Sequence, residues 1–269
     1  GVRVQCSTAG GTTWTSSFSA AEGSNTVMVR QTDVAGNTST VWTLTFTLDT
    51  TESTPGVSPA SDTGTSGDNV TSSGVLSLTG IESGATVQYS TDGGTTWTSS
   101  FSAAEGSNTV KVRQTDVAGN TSTVGTLTFT LDTTASTPGV SLASDTGTSG
   151  DNVSSSGVLS LTGIESGATV QYSTDGGTTW TSSFSAAEGS NTVKVRQTDV
   201  AGNTSAGGTL TFTLDTTAAT PGGSRASDTG TRGDTVTTSG GVTLTGTGSG
   251  ATGPSPRAGG GTWVGLQPI

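Results

Sequence analysis

The chain has 269 residues, a net charge of −11, no histidine and one cysteine. Without histidine neither a Ser/His/Asp nor a Cys/His nucleophilic arrangement can form, and one cysteine builds neither a disulfide framework nor a Cys/His metal site. The acidic balance argues against nucleic acid and anionic membrane surfaces, and no apolar run approaches the ~18 residues of a membrane span.

Trp14, Trp97, Trp180 and Trp263 recur at intervals of 83 residues. Residues 49–131 and 132–214 differ at only five aligned pairs: Glu52/Ala135, Pro59/Leu142, Thr71/Ser154, Thr123/Ala206 and Val124/Gly207. A solenoid repeats at 20 to 50 residues, whereas this period is the size of a small self-contained domain, so the expectation is a string of beads. The register divides the chain into the C-terminal part of a repeat (1–48), two whole repeats (49–131 and 132–214) and the N-terminal part of a fourth (215–269).

Taken in order, residues 1–48 lack the first strands of their repeat and are expected to fold poorly alone. Cys6 stands where the copies have Tyr89 and Tyr172, which reads as drift at a core position. In the second copy Val110, Val112 and Gln114 alternate with Lys111 and Arg113, and Leu127, Phe129 and Leu131 alternate with Thr126, Thr128 and Thr130. A period of two with one apolar face marks a half-buried strand and argues against the disorder that a hydrophobic content of 28% would otherwise suggest. In the third copy strands are predicted near residues 139–143, 158–162, 169–173, 179–184, 192–198 and 209–214, separated by Gly, Asn, Asp and Ser clusters. Six or seven short strands in such a unit fit an immunoglobulin-like β-sandwich. Its predicted core is Tyr172, Trp180, Phe184, Val193, Val195, Leu210, Phe212 and Leu214. The fourth copy keeps register through Leu244; Gly248 then replaces Glu82 and Glu165, and GPSPRAGGG stands where the copies read VQYSTDGGT. An unstructured tail is expected from about residue 253.

The acids gather in loops and at the junctions. SDTGTSGDN places Asp145 and Asp151 in one loop, matched by Asp62 and Asp68; TDVAGN carries Asp199, matched by Asp116 and Asp33; LDTT carries Asp215, matched by Asp132 and Asp49. Calcium takes six to eight oxygens from such carboxylates, carbonyls and amides. Asp, Asn and Gly also build ordinary turns, no segment has EF-hand spacing, and spacing alone leaves both readings open.

The combination of DTTxxTPGVSLASDTGTSGDN, LTGxESGATVQYSTDGGTTW and TDVAGNTS resembles the bacterial immunoglobulin-like repeats of large secreted adhesins, the biofilm-associated and RTX-type surface proteins. The resemblance covers residues 1 to about 250. It implies an all-β extended array of sandwich domains, incomplete at both ends. Such an array would act as an extracellular stalk at the bacterial surface supporting adhesion or biofilm formation. Calcium at the junctions would stiffen it, with Asp33, Asp116 and Asp199 and the junction residues Asp49, Asp132 and Asp215 as ligands. The implied partners are the neighbouring repeats, with any host-surface or matrix ligand held by other modules. An alternative is a repeated carbohydrate-binding module that gains avidity from repetition.

STDGGTTW, at residues 90–97 and 173–180, also fits the Asp-box of sialidases. In that motif Asp and Gly shape a hairpin and Trp packs beneath it, a folding role, and the arginine cluster of a sialidase is missing: Arg113 and Arg196 occupy equivalent positions read as exposed. Every acid of the whole repeats but Glu52 recurs one period on, which is unusual for an active site, and the chain is read as no enzyme.

Overall fold

The computed structural model describes residues 1–238 and 241–246, with the backbone of residues 254–257 and 261–265. Every described element is a strand, and no described helix is long and apolar enough to cross a membrane. The first segment holds β1 (Arg3–Ser7), β2 (Gly23–Thr32) and β3 (Trp42–Leu48), joined as one antiparallel sheet. The second copy holds β4 (Gly56–Pro59), β5 (Val70–Thr71), β6 (Leu76–Thr79), β7 (Thr86–Ser90), β8 (Gly106–Thr115) and β9 (Gly125–Leu131). The third repeats these as β10 (Gly139–Leu142), β11 (Val153–Ser154), β12 (Leu159–Thr162), β13 (Thr169–Ser173), β14 (Gly189–Thr198) and β15 (Gly208–Leu214). Then come β16 (Gly222–Arg225) and β17 (Val242–Thr245), which pair with each other. Within the tail expected to lack structure, β18 (Pro254–Arg257) and β19 (Gly261–Gly265) pair as an antiparallel hairpin; the rest of that tail lies outside the described residues.

Each whole copy is a two-sheet sandwich of the immunoglobulin-like class. In the second, β4 pairs with β6, and a second sheet runs β5-β9-β8-β7. The register sets Val110 opposite Leu127 and Asn108 opposite Phe129, and the period of two then turns Val110, Val112, Phe129 and Leu131 inward onto Val57, Leu76 and Leu78. Val110 and Val112 are fully buried, each contributing about 1.5–3 kcal/mol of transfer free energy. Tyr89, Phe101 and Phe129 continue the core as a chain of rings, Tyr89 stacked on Phe101 and Phe101 edge-on to Phe129. The third copy reproduces this with Val193, Val195 and Phe212, flanked by Tyr172, Phe184, Leu210 and Leu214.

Three expectations need correction. Residues 179–184 form no strand, because the Asp175 carboxylate accepts bonds from the Thr178 and Thr179 amides at 3.0 and 2.9 Å and curls the chain. Only the mutual backbone pair of Thr181 with Tyr172 survives as a bridge. Trp180 lies outside the core: its Nε1 donates to the Gly177 carbonyl at 3.0 Å, and the Arg196 guanidinium lies over its ring, 4.1 Å from the centroid. Arg113 and Arg196 are therefore half-buried, each stacked on its Trp and each donating to a glutamine across the strand pair, Gln88 or Gln171. The short strands β5 and β11, which run parallel to β9 and β15, have too few residues to show alternation in sequence.

Cα proximity divides the chain into two compact units. The first is Gly1–Ala135 with Glu165–Ala168 and Thr198–Thr204; the second is Ser136–Ile164, Thr169–Gln197 and Ser205–Ile269. The acidic site described next lies entirely in the first.

Candidate functional site

The TDVAGN loop begins where β8 or β14 ends, and its Asp folds the loop around itself. The Asp116 carboxylate accepts from the Asn120 amide at 2.8 Å and from Asn120 Nδ2 at 2.7 Å; Asp199 does the same with Asn203 at 2.8 and 2.8 Å. Burial by itself would raise the Asp116 carboxyl, but the Asn120 side chain and the loop amides outweigh it and hold it below the ordinary carboxylate value. Asp33, whose loop is more exposed, is likewise held low by the Asn37 side chain and backbone.

The same asparagine ties the loop to the junction. Asn120 Nδ2 donates to the Asp49 carbonyl at 2.9 Å, and Asn203 Nδ2 to the Asp132 carbonyl at 2.7 Å. Each bond spans 71 residues and brings the LDTT acid beside the TDVAGN acid. A glutamate of the LTGxESG turn completes the group. Among the described residues, two sets of carboxylates, Asp49 with Glu82 and Asp116, and Asp132 with Glu165 and Asp199, each offer oxygens within 4.8 Å of one another.

The remaining sequence candidates do not join these sets. Asp62 and Asp145 each accept from a glycine amide five residues on, Gly67 at 2.6 Å and Gly150 at 2.7 Å. Asp68 and Asp151 accept from the amides of Val70 and Val153. Asp68 and Asp151 thereby form Asx-type turns, while Asp62 and Asp145 close the wider SDTGTSGDN loop. Among the described residues, the Asp215 carboxylate accepts from the Thr217 amide. Asp33 stays within its TDVAGN turn.

Glu82 and Glu165 were missed from sequence, since ESG reads as a plain turn and lies 33 residues from the junction acid. The available signal was recurrence at 83 residues. Glu52 was missed as well. Burial, then the nearby Glu82 and Asp116 carboxylates, raise its carboxyl above the ordinary value, and its Oε2 is buried without a hydrogen-bond partner. The second repeat has Ala135 in this position, so the two sets have equivalent acids but only the first has a further acid beside it. A further clamp recurs three times: Glu22, Glu105 and Glu188 each accept from the backbone amide and hydroxyl of the second junction residue, Thr50, Thr133 and Thr216.

The donor set is all oxygen, with no nitrogen or sulfur, which matches a hard divalent cation of the calcium kind. Carboxylates this close repel one another, and a bound dication removes that repulsion. Among the described residues, three carboxylate oxygens are buried without a hydrogen-bond partner: Glu52 Oε2 beside the first set, and Asp62 Oδ1 and Asp145 Oδ1 in the SDTGTSGDN loops.

The Asp-box segment is used structurally. Asp92 accepts from the Thr95 and Thr96 amides, both at 2.9 Å, and from the Thr96 hydroxyl at 2.6 Å, while Ser90 Oγ donates to it at 2.8 Å. Those bonds, the Thr96 hydroxyl foremost, hold Asp92 far below the ordinary range, and Asp175 likewise.

Residues 2–50 and 51–133 match the family model of the bacterial Ig-like domain. Among solved structures, the fibronectin(III)-like modules of Clostridium thermocellum CbhA share 14% identity, covering 59% of this chain and 93% of theirs, with a TM-score of 0.32. A structure concerned with host cell surface retention of a 1.5-MDa bacterial ice-binding adhesin shares 23% identity, covering 80% of this chain and 86% of that one, with a TM-score of 0.28. No curated protein matches at a significant level.

Proposed function

Since residues 2–133 match the family model and residues 132–214 repeat 49–131 with five differences, the chain belongs to the bacterial Ig-like domain family, and we propose that it is a stalk segment of an extracellular adhesin whose repeat junctions are stiffened by calcium. The observation that carries this reading is the placement of the two acidic sets. Each joins the LDTT junction to two loops of the repeat that follows, and the same arrangement recurs one period on. Asp49, Glu82 and Asp116 would hold one ion, with Glu52 close to the Glu82 and Asp116 carboxylates, and Asp132, Glu165 and Asp199 another. Calcium would supply charge neutralisation at the point where the chain passes from one sandwich to the next, limiting hinge motion there. Repetition of such a unit multiplies reach.

The test is thermal unfolding of the chain in millimolar calcium and in EDTA. Extracellular calcium modules bind at about 10⁻⁴–10⁻³ M. Near 10 mM calcium, mass action then gives about 1.5–3 kcal/mol per site, or several degrees of melting temperature for a domain of this size. Asp132→Asn should blunt the rise. Melting that is indifferent to calcium would end the calcium reading while leaving the stalk reading in place.

A further inference from the structure

The sequence TDVAGN occurs unchanged at residues 32–37, 115–120 and 198–203, yet its burial differs between copies. Val34 is 81% exposed and Val117 83%, whereas Val200 is half-buried and Ala201 is fully buried. Identical segments on equivalent strands bury differently only if something outside the segment covers one of them. The covering group is Thr63, Gly64 and Thr65 of the SDTGTSGDN loop of the preceding repeat, and all of these residues lie in the first compact unit. Thr63 Oγ1 donates to the Ala201 carbonyl at 2.6 Å, and the Thr65 amide donates to the Val200 carbonyl at 3.0 Å. A Cβ built on Gly64 would stand 2.6 Å from the Gly202 nitrogen and nearer still to the Val200 carbonyl oxygen, so only glycine admits this approach.

We propose that the SDTGTSGDN loop of each repeat is a receptor for the DVAGN loop of the repeat that follows, so that neighbouring repeats open as coupled units rather than as independent beads. This gives Asp62 and Asp68 their role. By accepting from the Gly67 and Val70 amides they fix the loop in the shape that presents Thr63 to Thr65. Thr63 is held from its own side too, with its Oγ1 accepting from the Ser72 amide at 2.7 Å. The bonds across the contact fall on backbone atoms of the received loop, and a chain of near-identical repeats can use them at every step. The inference goes beyond the calcium reading and does not depend on it.

The protein carries its own controls. Gly64 and Gly147 are the same loop position in successive copies, with φ of 73° and 83°, so alanine strains both backbones alike. A Cβ on Gly147 meets nothing within 4 Å. Amide hydrogen exchange on the full chain in EDTA, read across residues 199–203, should be about tenfold faster in Gly64→Ala and unchanged in Gly147→Ala, since a local opening free energy is lost only in the first. The reciprocal pair is Ala201→Glu and Ala118→Glu, read at the Thr65 amide, which should lose protection only in the first. Equal responses of residues 199–203 to the two glycine variants, or an unchanged Thr65 amide in Ala201→Glu, would overturn the proposal.

Discussion

Gln114 Nε2 donates to the Ser53 carbonyl at 2.8 Å from a fully buried position, joining β8 to the junction segment 61 residues earlier. The same nitrogen donates to the Gly80 carbonyl at 2.8 Å, and Oε1 accepts from the Glu82 amide at 3.0 Å. In the third repeat Gln197 donates to the Ser136 and Gly163 carbonyls at 2.7 and 2.9 Å. One side-chain amide thus holds the chain entering the sandwich and the turn that carries Glu82.

Gln114→Leu keeps the volume but strands the polar groups that the amide satisfied. The expected cost is about 1–3 kcal/mol, the range for a buried donor or acceptor left unpaired. Urea unfolding measures it, with unfolding of the second repeat advancing to lower urea. The variant should also weaken any calcium-induced stabilisation, because the Glu82 backbone loses its anchor. An unfolding midpoint equal to that of the parent would show that water replaces the amide.

Glu52 works in the opposite direction. Burial first, then the Glu82 and Asp116 charges, raise its folded-state carboxyl, so its ionised form is disfavoured by folding. A raised carboxyl contributes stability at pH below its unfolded value, about 4.3, and loses that contribution as pH rises through the folded value. Glu52→Ala copies Ala135 of the next repeat. In EDTA it should raise the melting temperature at pH 7 and lose that advantage at pH 4, and calcium should narrow the difference at pH 7. A variant less stable than the parent at pH 7 in EDTA would contradict this.

Asp92 and Asp175 titrate with the other sign. The Thr96 and Thr179 hydroxyls, then the backbone amides, hold these carboxyls far below the ordinary value of about 3.9. Their contribution is present above that value and declines as the medium is acidified toward the folded value. Asp92→Ala, which reproduces Ala9 of the first segment, should therefore lower the melting temperature at pH 7, with the deficit shrinking below about pH 4. A deficit of constant size across that window would mean that the aspartate acts by shape and not by charge.

The strands were legible because Val110, Val112, Phe129 and Leu131 alternate with polar neighbours, a pattern that records burial on one face. Trp180 was misplaced because a large aromatic beside a strand reads as core, while its stacking on Arg196 depends on a cross-strand register that sequence leaves open. Four of the six acids in the two sets, Asp49, Asp116, Asp132 and Asp199, were legible. Glu82 and Glu165 were not, because nothing local separates a turn glutamate from one that the fold carries to a junction. The burial of Ala201 was illegible in principle, since Ala35 and Ala118 stand in the same six residues.

Gly125 opens β9 opposite Val112, and a Cβ there would collide with the Pro55 carbonyl oxygen and stand 3.6 Å from Val57 Cγ1. Gly208 has the same relation to Pro138 and Val140. In an ordinary strand interior, replacing glycine by alanine gains roughly 0.5–1 kcal/mol. Here the sign should reverse, because β4 must shift off β9 to admit the methyl group, and overpacking of this kind costs about 1–3 kcal/mol. Gly125→Ala is expected to lower the unfolding midpoint in urea, and Gly125→Trp to lower it further. The first segment carries Trp42 at this position, 61% exposed, so no strand can lie against β3 as closely as β4 lies against β9. A Gly125→Ala chain as stable as the parent would show that β4 gives way freely, and Trp42 would then be compatible with the same close packing.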